Sequence, residues 1–302
     1  MREPLVSVNI PAYNAQDFIE RTILSALNQT HKNIEVIVLD DGSTDKTGDV
    51  VEKLQKKDSR VRYYYQENQG LSPTRNRLFD LSKGEYIAFL DHDDEWLPEK
   101  IELQLLIFKG RPELGLVFGR AVNHYEDGRR KEEFMKRSPR RGKVFYEYLL
   151  SLNFIPLCSA VVRKDVLKKY MPFKPWLRTS EEWELFLRLG RDYEFDYIDR
   201  VVAIYHVRKD GLMRRSALRE AEEVLSILDY WSKEDAEIMK KYRRRLLEAK
   251  SRFNYYRYNF FKENHDYKNA RRALARCISM DPGRLSHYLR LIRLLFLMSK
   301  QS

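Results

Sequence analysis

Two cysteines in 302 residues leave sulfur little to do. Cys158 and Cys277 stand far apart with no CxxC spacing, which excludes a disulfide framework and a thiolate zinc site and suits a reducing cytosol. Glycine is scarce, at 12 residues, and the first strand-to-helix passage, "IPAYNAQ", contains none, so it is not a glycine-rich phosphate cradle. Long apolar runs are missing as well. The opening "MREPLVSVNIPAYN" has no h-region, and a signal peptide is not expected. The most apolar segment, near the C-terminus, is too short to span a bilayer. The expected location is cytoplasmic, with peripheral contact on the cytoplasmic membrane face left open.

What is present is a globular composition, 43% apolar and 33% charged, long enough for one large domain or two. The net charge of +11 is unevenly placed. Residues 1–210 carry 35 Lys and Arg against 34 Asp and Glu, whereas residues 211–302 carry 21 against 11. A shift of that size marks a candidate boundary between a balanced region, 1–210, and a basic one, 211–302.

Periodicity gives the first region an alternating rhythm. "LVSVNIP" (5–11) reads as a strand with Val6, Val8 and Ile10 on one face, and residues 14–29 follow with helical spacing. "IEVIVLDD" is a strand buried on both faces, "TGDVVEKLQKK" a helix and "VRYYYQ" a strand. Residues 72–84 form a helix with Pro73 in its first turn and Gly84 as its stop, and "EYIAFLD" is the next strand. That order predicts an α/β fold with a mostly parallel, Rossmann-like sheet flanked by helices. Strands are expected at 114–122, 158–163 and within 194–207, a charged loop over 126–143 and a helix from Ser180. From about Leu212 the pattern is helical, including a helix pair over 255–283 with its turn near Asn264.

The strand ends carry the chemistry. In such sheets ligands bind beyond the carboxyl ends of the strands, which here read "IPAYN", "LDDGSTD", "QENQG" and "LDHDD". "IAFLDHDDEW" crowds Asp91, Asp93 and Asp94 at the mouth of a buried strand. Two like charges ~4 Å apart cost roughly 4 kcal/mol at an effective dielectric of ~20. Such a cluster therefore holds a proton or a cation, and Mg²⁺ or Mn²⁺ is the hard ion that carboxylates and phosphates share. A solvated Asp-rich turn is the plainer alternative.

Together, "VSVNIPAYNAQDFIERTILSALNQT", "IEVIVLDDGSTDKT", "ENQGLSPTRN", "GEYIAFLDHDD" and "SEEWELFLRL" resemble the family 2 glycosyltransferases, over roughly residues 5–210. The resemblance implies the GT-A fold, a nucleoside-diphosphate sugar donor (UDP-linked by expectation), a divalent metal and inversion at the anomeric carbon. It also implies site roles. Pro11 and Tyr13 would line the nucleobase pocket, Asp40 and Asp41 bind base and ribose, and Arg75 lie near the nucleotide. Asp91 and Asp93 match the DXD pair, with Asp93 the metal ligand, Asp94 a further candidate and His92 a spectator. The base that deprotonates the acceptor opens a helix in an "ED" dipeptide; here it is "EE", so Glu182 takes the role, displaced by one methylene. Glu181 and Trp183 would border the acceptor or sugar pocket, although Trp183 also reads as core. The pattern Tyr-Arg-x-His becomes Tyr205-His206-Val207-Arg208, so either His206 reaches the metal or Arg208 the diphosphate, or His206 is a plain, partly buried histidine. "MPFKPWL" lacks the glycines usual before the ED helix.

Other readings stay open. Thr179-x-x-Glu182 also fits a capping box. The altered "EE" and "YHVR" motifs are compatible with a nucleotide-sugar-binding protein without turnover, and the acidic rim with a sugar nucleotidyltransferase, though no glycine-rich loop supports the latter. The basic C-terminal region shows no nucleic-acid motif. Its apolar segment 285–300, broken by Arg290 and Arg293, suits an anionic membrane surface, self-association or packing onto the catalytic domain. The expected partners are thus the donor, a glycan or lipid-linked hydroxyl acceptor, and one of these surfaces; nucleic acid is not among them.

Overall fold

The computed structural model describes residues 3–132, 141–151, 154–208 and 216–299. The chain divides into two compact units, Met1–Tyr148 with Asn153–Lys209, and Leu149–Leu152 with Asp210–Ser302. The expected boundary at 210/211 and the middle of the expected loop over 126–143 lie outside the described residues.

The first unit is built on a mixed sheet. Its strands are β1 (Val6–Ala12), β2 (Ile34–Asp41), β3 (Val61–Gln66), β4 (Tyr86–Phe89), β5 (Glu95–Trp96), β6 (Leu114–Tyr125), β7 (Arg130–Glu132), β8 (Val161–Arg163) and β9 (Glu194–Val207). The order is β3-β2-β1-β4-β8-β6-β9-β5, with β7 on β6. From β3 to β4 all pairs are parallel. β8 then runs antiparallel to both β4 and β6, while β9 is parallel to β6. Helices α1 (Ile19–Leu27), α2 (Thr47–Lys57), α3 (Leu71–Leu81), α4 (Lys100–Phe108), α6 (Lys164–Leu167) and α7 (Glu181–Asp192) fill the connections, as does α5 (Phe145–Ser151), whose residues from Leu149 on count with the second unit.

The apolar runs become central strands because both of their faces are covered. β1 and β2 are buried at every position, and Val6, Val8, Ile10, Val36 and Val38 pack with Ile19, Ile23 and Val51 of the flanking helices. Glu35 survives in this setting because three donors meet it: Ser7 Oγ, the Lys83 amide and Arg62 Nη1, each at 2.6 Å. That ring of donors holds its carboxyl below the usual range against the cost of burial.

Two local expectations differ. The helix over 72–84 ends at Leu81, where the Ser82 hydroxyl donates to the Leu78 carbonyl oxygen. Gly84 acts instead by close approach: a Cβ there would lie 2.6 Å from the Ser7 nitrogen and 2.8 Å from the Leu5 oxygen, so only glycine lets the chain enter β4 beside β1. The loop expected over 126–143 begins as a hairpin, with Gly128 at φ 80° turning β6 into β7.

The second unit is helical: α8 (Ala217–Glu234), α9 (Ala236–Lys241), α10 (Arg243–Glu263), α11 (Tyr267–Met280) and α12 (Leu285–Ser299). The expected helix pair is α10 and α11, with Asp266 capping α11 through the Asn269 amide. Tyr258, Ala270, Ala273, Leu274, Cys277 and Leu294 form its core.

Candidate active site

Two loops at the ends of β1 and β2 are laced into one wall. Asn14, at φ 48°, accepts from the Thr44 amide through Oδ1, while its own amide donates to Ser43 Oγ. The Ala15 amide donates to Thr47 Oγ1, and Gln16 and Lys46 exchange a further bond. Pro11 is buried at the base of this wall, and Tyr13 stands on it 46% exposed. The two residues expected to line a nucleobase pocket thus differ in access, and Tyr13 alone offers an open ring.

Asp40 and Asp41 are both buried, and both are engaged. Asp40 accepts from the Ser43 amide (2.8 Å) and from the Tyr63 hydroxyl (3.0 Å). Burial, and next the Asp40 carboxylate, push the Tyr63 phenol upward. Asp41 accepts from Gln66 Nε2 and from the amides of Gln69 and Gly70, at 2.8 to 2.9 Å. Asp41 is therefore the clamp that folds "QENQG" against β2. The turn needs its glycines: Gly42 and Gly70 have φ of 81° and 88°, and a Cβ on Gly42 would lie 2.8 Å from the Asn68 nitrogen.

Below this wall, α3 brings Arg75 into the unit. Its guanidinium donates to Asp91 Oδ1 at 3.1 Å and forms an ion pair with Glu181 Oε1 at 3.2 Å. One buried cation thus spans the end of β4 and the first residue of α7. Neighbours on α3 fix the approach to α7. Asn76 forms a reciprocal pair with the Phe173 backbone, and Ser72 Oγ donates to the Leu177 carbonyl oxygen. These anchors, contributed by "SPTRN", were not recognised in the sequence, because their partners lie about a hundred residues downstream.

At α7 the carboxylates separate in environment. Glu181, expected near the acceptor, is only 1% exposed and serves Arg75 instead. Trp183, which the resemblance sets beside the sugar pocket and which also reads as core, is 2% exposed and belongs to the core, sharing the buried side of α7 with Phe186 and Leu187. Glu182 between them is partly exposed. Its carboxyl is pushed up to about 8, first by burial and then by the Glu181 charge, with Arg75 opposing. The N-cap of α7 is Ser180, one residue beyond the Thr179 of the capping-box reading, and its side chain makes no cap hydrogen bond.

The acidic loop after β4 is pinned from α1. Thr22 Oγ1 lies 2.9 Å from the carbonyl oxygens of His92 and Asp94, and Arg21 Nη2 donates to that of Asp93. His92 Nδ1 lies 3.2 Å from the Pro11 oxygen, so its ring ties the loop to β1. Asp94 is fully buried, and its Oδ1 accepts from the His206 amide. Burial, then the charges of Asp93 and Asp91, push its carboxyl well above the usual range. His206, expected as a metal ligand, is committed elsewhere: Nε2 lies 2.7 Å from Glu95 Oε1, its ring faces His124, and burial lowers its basicity. The register of β5 against β9 makes that pairing, a tertiary fact invisible in the motif. Arg208 lies over the Phe18 ring, 4.2 Å from its centroid.

Among the described residues no three His, Cys, Asp or Glu side chains gather as a metal cage. Among the described residues the Asp93 carboxylate has no hydrogen-bond or ion-pair partner, whereas Asp91 is steadied by Arg75. Two half-exposed carboxylates fit a hard divalent ion whose remaining positions are filled by phosphate oxygens and water.

The model of Glycosyl transferase family 2 matches residues 7–171. The chain is 46% identical over 104 residues to the putative teichuronic acid biosynthesis glycosyltransferase TuaG of Bacillus subtilis, covering 34% of this chain and 41% of that protein. It is 31% identical over 228 residues to the GalNAc(5)-diNAcBac-PP-undecaprenol beta-1,3-glucosyltransferase of Campylobacter jejuni, covering 73% of this chain and 71% of that one. Among solved structures it resembles S. aureus TarS 1-349 in complex with UDP, at TM-score 0.65 and 20% identity over 92% of this chain and 81% of that one. It also resembles the mannosyltransferase PcManGT of Pyrobaculum calidifontis in complex with GDP-Man and Mn²⁺, at TM-score 0.61 and 16% identity over 98% and 86%. Both likenesses establish a GT-A fold. The motifs along the sheet edge and the match across more than half the sequence converge: the chain belongs to glycosyl transferase family 2.

Proposed function

We propose that this chain transfers a sugar, with inversion, from a nucleoside-diphosphate donor, UDP-linked, to a hydroxyl of a glycan or lipid-linked glycan. The Campylobacter relative's undecaprenol-linked acceptor supports the lipid-linked class. The solved neighbours hold UDP and GDP-Man, which supports a diphosphate at this rim. The observation that carries the reading is the division of labour around Arg75: Glu181 and Asp91 neutralise the guanidinium, and Glu182 remains partly exposed with a raised affinity for a proton.

Each group then has a task. Asp41 holds the "QENQG" turn, and Tyr13 offers its open ring to the nucleobase. Arg75 keeps Asp91 oriented beside Asp93. Asp91 and Asp93 would hold Mn²⁺ or Mg²⁺, which when bound neutralises charge growing on the departing diphosphate. Glu182 accepts the proton of the acceptor hydroxyl as that oxygen attacks the face opposite the leaving group. A carboxylate pushed toward 8 is a stronger base than an ordinary one, and the segment leading into its helix is held by Asn76 and Ser72.

The test is release of nucleoside diphosphate from a panel of UDP-, GDP- and dTDP-sugars with Mn²⁺, followed by transfer to polyprenyl-phosphate-linked sugar. Turnover of one donor, with β-product from an α-linked donor, supports the proposal. Tight donor binding with no turnover for any of them would reduce the chain to a binding protein.

A further inference from the structure

The last helix has two apolar faces, and its own unit covers one of them. His287, Leu291, Leu294 and Met298 face inward, the last three onto the core made by Tyr258, Ala270, Ala273, Leu274 and Cys277. On the other side Leu285, Leu289, Ile292 and Leu295 repeat at helical spacing and are 77%, 59%, 64% and 44% exposed. Seven of the protein's exposed large apolar residues fall on this single 15-residue helix. A stripe of that kind is more than scattered surface leucines, and it marks a docking face.

Charge decides what docks. α12 contains no acidic residue, and its only ionised side chains are Arg290 and Arg293. Arg290 lies over the Tyr255 ring, and Arg293 is exposed beside the stripe. Over residues 264–302 there are 8 Lys and Arg against Asp266 and Asp281 alone. Apposing two copies through this face would bring like charges together with no carboxylate on the helix to answer them. An anionic bilayer answers them: its headgroups meet the arginines while the leucine stripe enters the acyl boundary. No described helix is long and apolar enough to cross a membrane, so the contact is one of lying on the surface.

We infer that α12 is an interfacial helix that seats the chain on an anionic lipid surface through Leu285, Leu289, Ile292 and Leu295, with Arg293 at the headgroups. Binding needs neither donor nor acceptor, so the inference stands or falls apart from the proposed transferase chemistry.

The experiment is flotation of the full chain with vesicles of phosphatidylcholine alone and with about one-third phosphatidylglycerol. The wild type is expected to float with the anionic vesicles only, and to lose ~10-fold in partitioning as salt rises from about 0.05 to 0.5 M. Leu289→Gln with Ile292→Gln is expected to weaken binding by at least ~10-fold while circular dichroism and the melting temperature hold, both residues being exposed. Arg293→Gln is expected to reduce the preference for anionic vesicles. Equal flotation with neutral vesicles, none with either, or an unaffected double variant overturns the inference. So does light scattering that shows a dimer abolished by the same double variant without any vesicle binding.

Discussion

Arg75→Met removes the one buried cation between Asp91 and Glu181 and leaves the side-chain volume nearly intact. At the observed 3.1 and 3.2 Å each contact carries about 5 kcal/mol of attraction at an effective dielectric of ~20, offset by desolvation of the guanidinium. Losing one partner of a buried ion pair costs about 3–5 kcal/mol, because the remaining charge stays buried without its partner. Here buried Glu181 is the stranded charge, while half-exposed Asp91 loses its partner with water at hand, and Glu182 is within electrostatic reach of both. Carboxylates can escape by taking protons, which gives the cost a sign in pH. A carboxylate buried without its partner takes up a proton more readily in the folded chain than in the unfolded one, so the deficit is larger at high pH than at low. The assay is urea unfolding of wild type and variant at about pH 9 and about pH 5.5, read by tryptophan fluorescence. A Trp231→Phe background confines the signal to Trp96, Trp176 and Trp183 of the sheet-bearing unit. The expected deficit is ~3–5 kcal/mol at the higher pH and less than half of that at the lower. A deficit below ~1 kcal/mol, or one equal at both pH values, would refute the assignment of Arg75 as the charge that holds this rim together.

Glu182→Gln is expected to bind UDP-sugar as the wild type does and to turn it over at least ~10²-fold more slowly, measured in single-turnover assays. The same variant tests the pKa. Folded Glu182 titrates near 8 against 4.5 in the free side chain, so its ionisation costs stability increasingly from about pH 4.5 to about pH 8 and no further. The glutamine variant should therefore gain melting temperature over that window and plateau above it. Wild-type kcat/KM should climb with pH along a single-proton limb near 8, and a flat profile between pH 6 and 9 would remove Glu182 as the base. Asp93→Ala should abolish the enhancement of UDP binding by Mn²⁺ in calorimetry while leaving metal-free binding unchanged. Thr22→Val should weaken that same enhancement by roughly 3- to 10-fold, by freeing the backbone that Thr22 Oγ1 holds at His92 and Asp94.

How much of this was legible in sequence depends on the range of the interaction. Strands β1 to β4 and the acidic rim could be read because continuous apolar runs and strand-end acids are local signals. The core reading of Trp183 was legible too, since it shares helical spacing with Phe186 and Leu187. The fate of His206 was not, for its partner Glu95 is 111 positions away and meets it only through strand register. Glu181 and Glu182 look alike in a string. Only the position of Arg75 makes one a counter-ion and leaves the other to titrate. Gly84 reads as a helix stop because glycine usually serves that purpose, whereas here it relieves a backbone crossing that no local pattern announces.

Asp41 sets a trap for mutagenesis. Three donors from the 66–70 segment converge on its two oxygens, so replacing it would unfasten an entire turn. Weakened nucleotide affinity in such a variant would then report scaffolding come loose, and crediting the residue with touching ribose would mistake the hinge pin for the door handle.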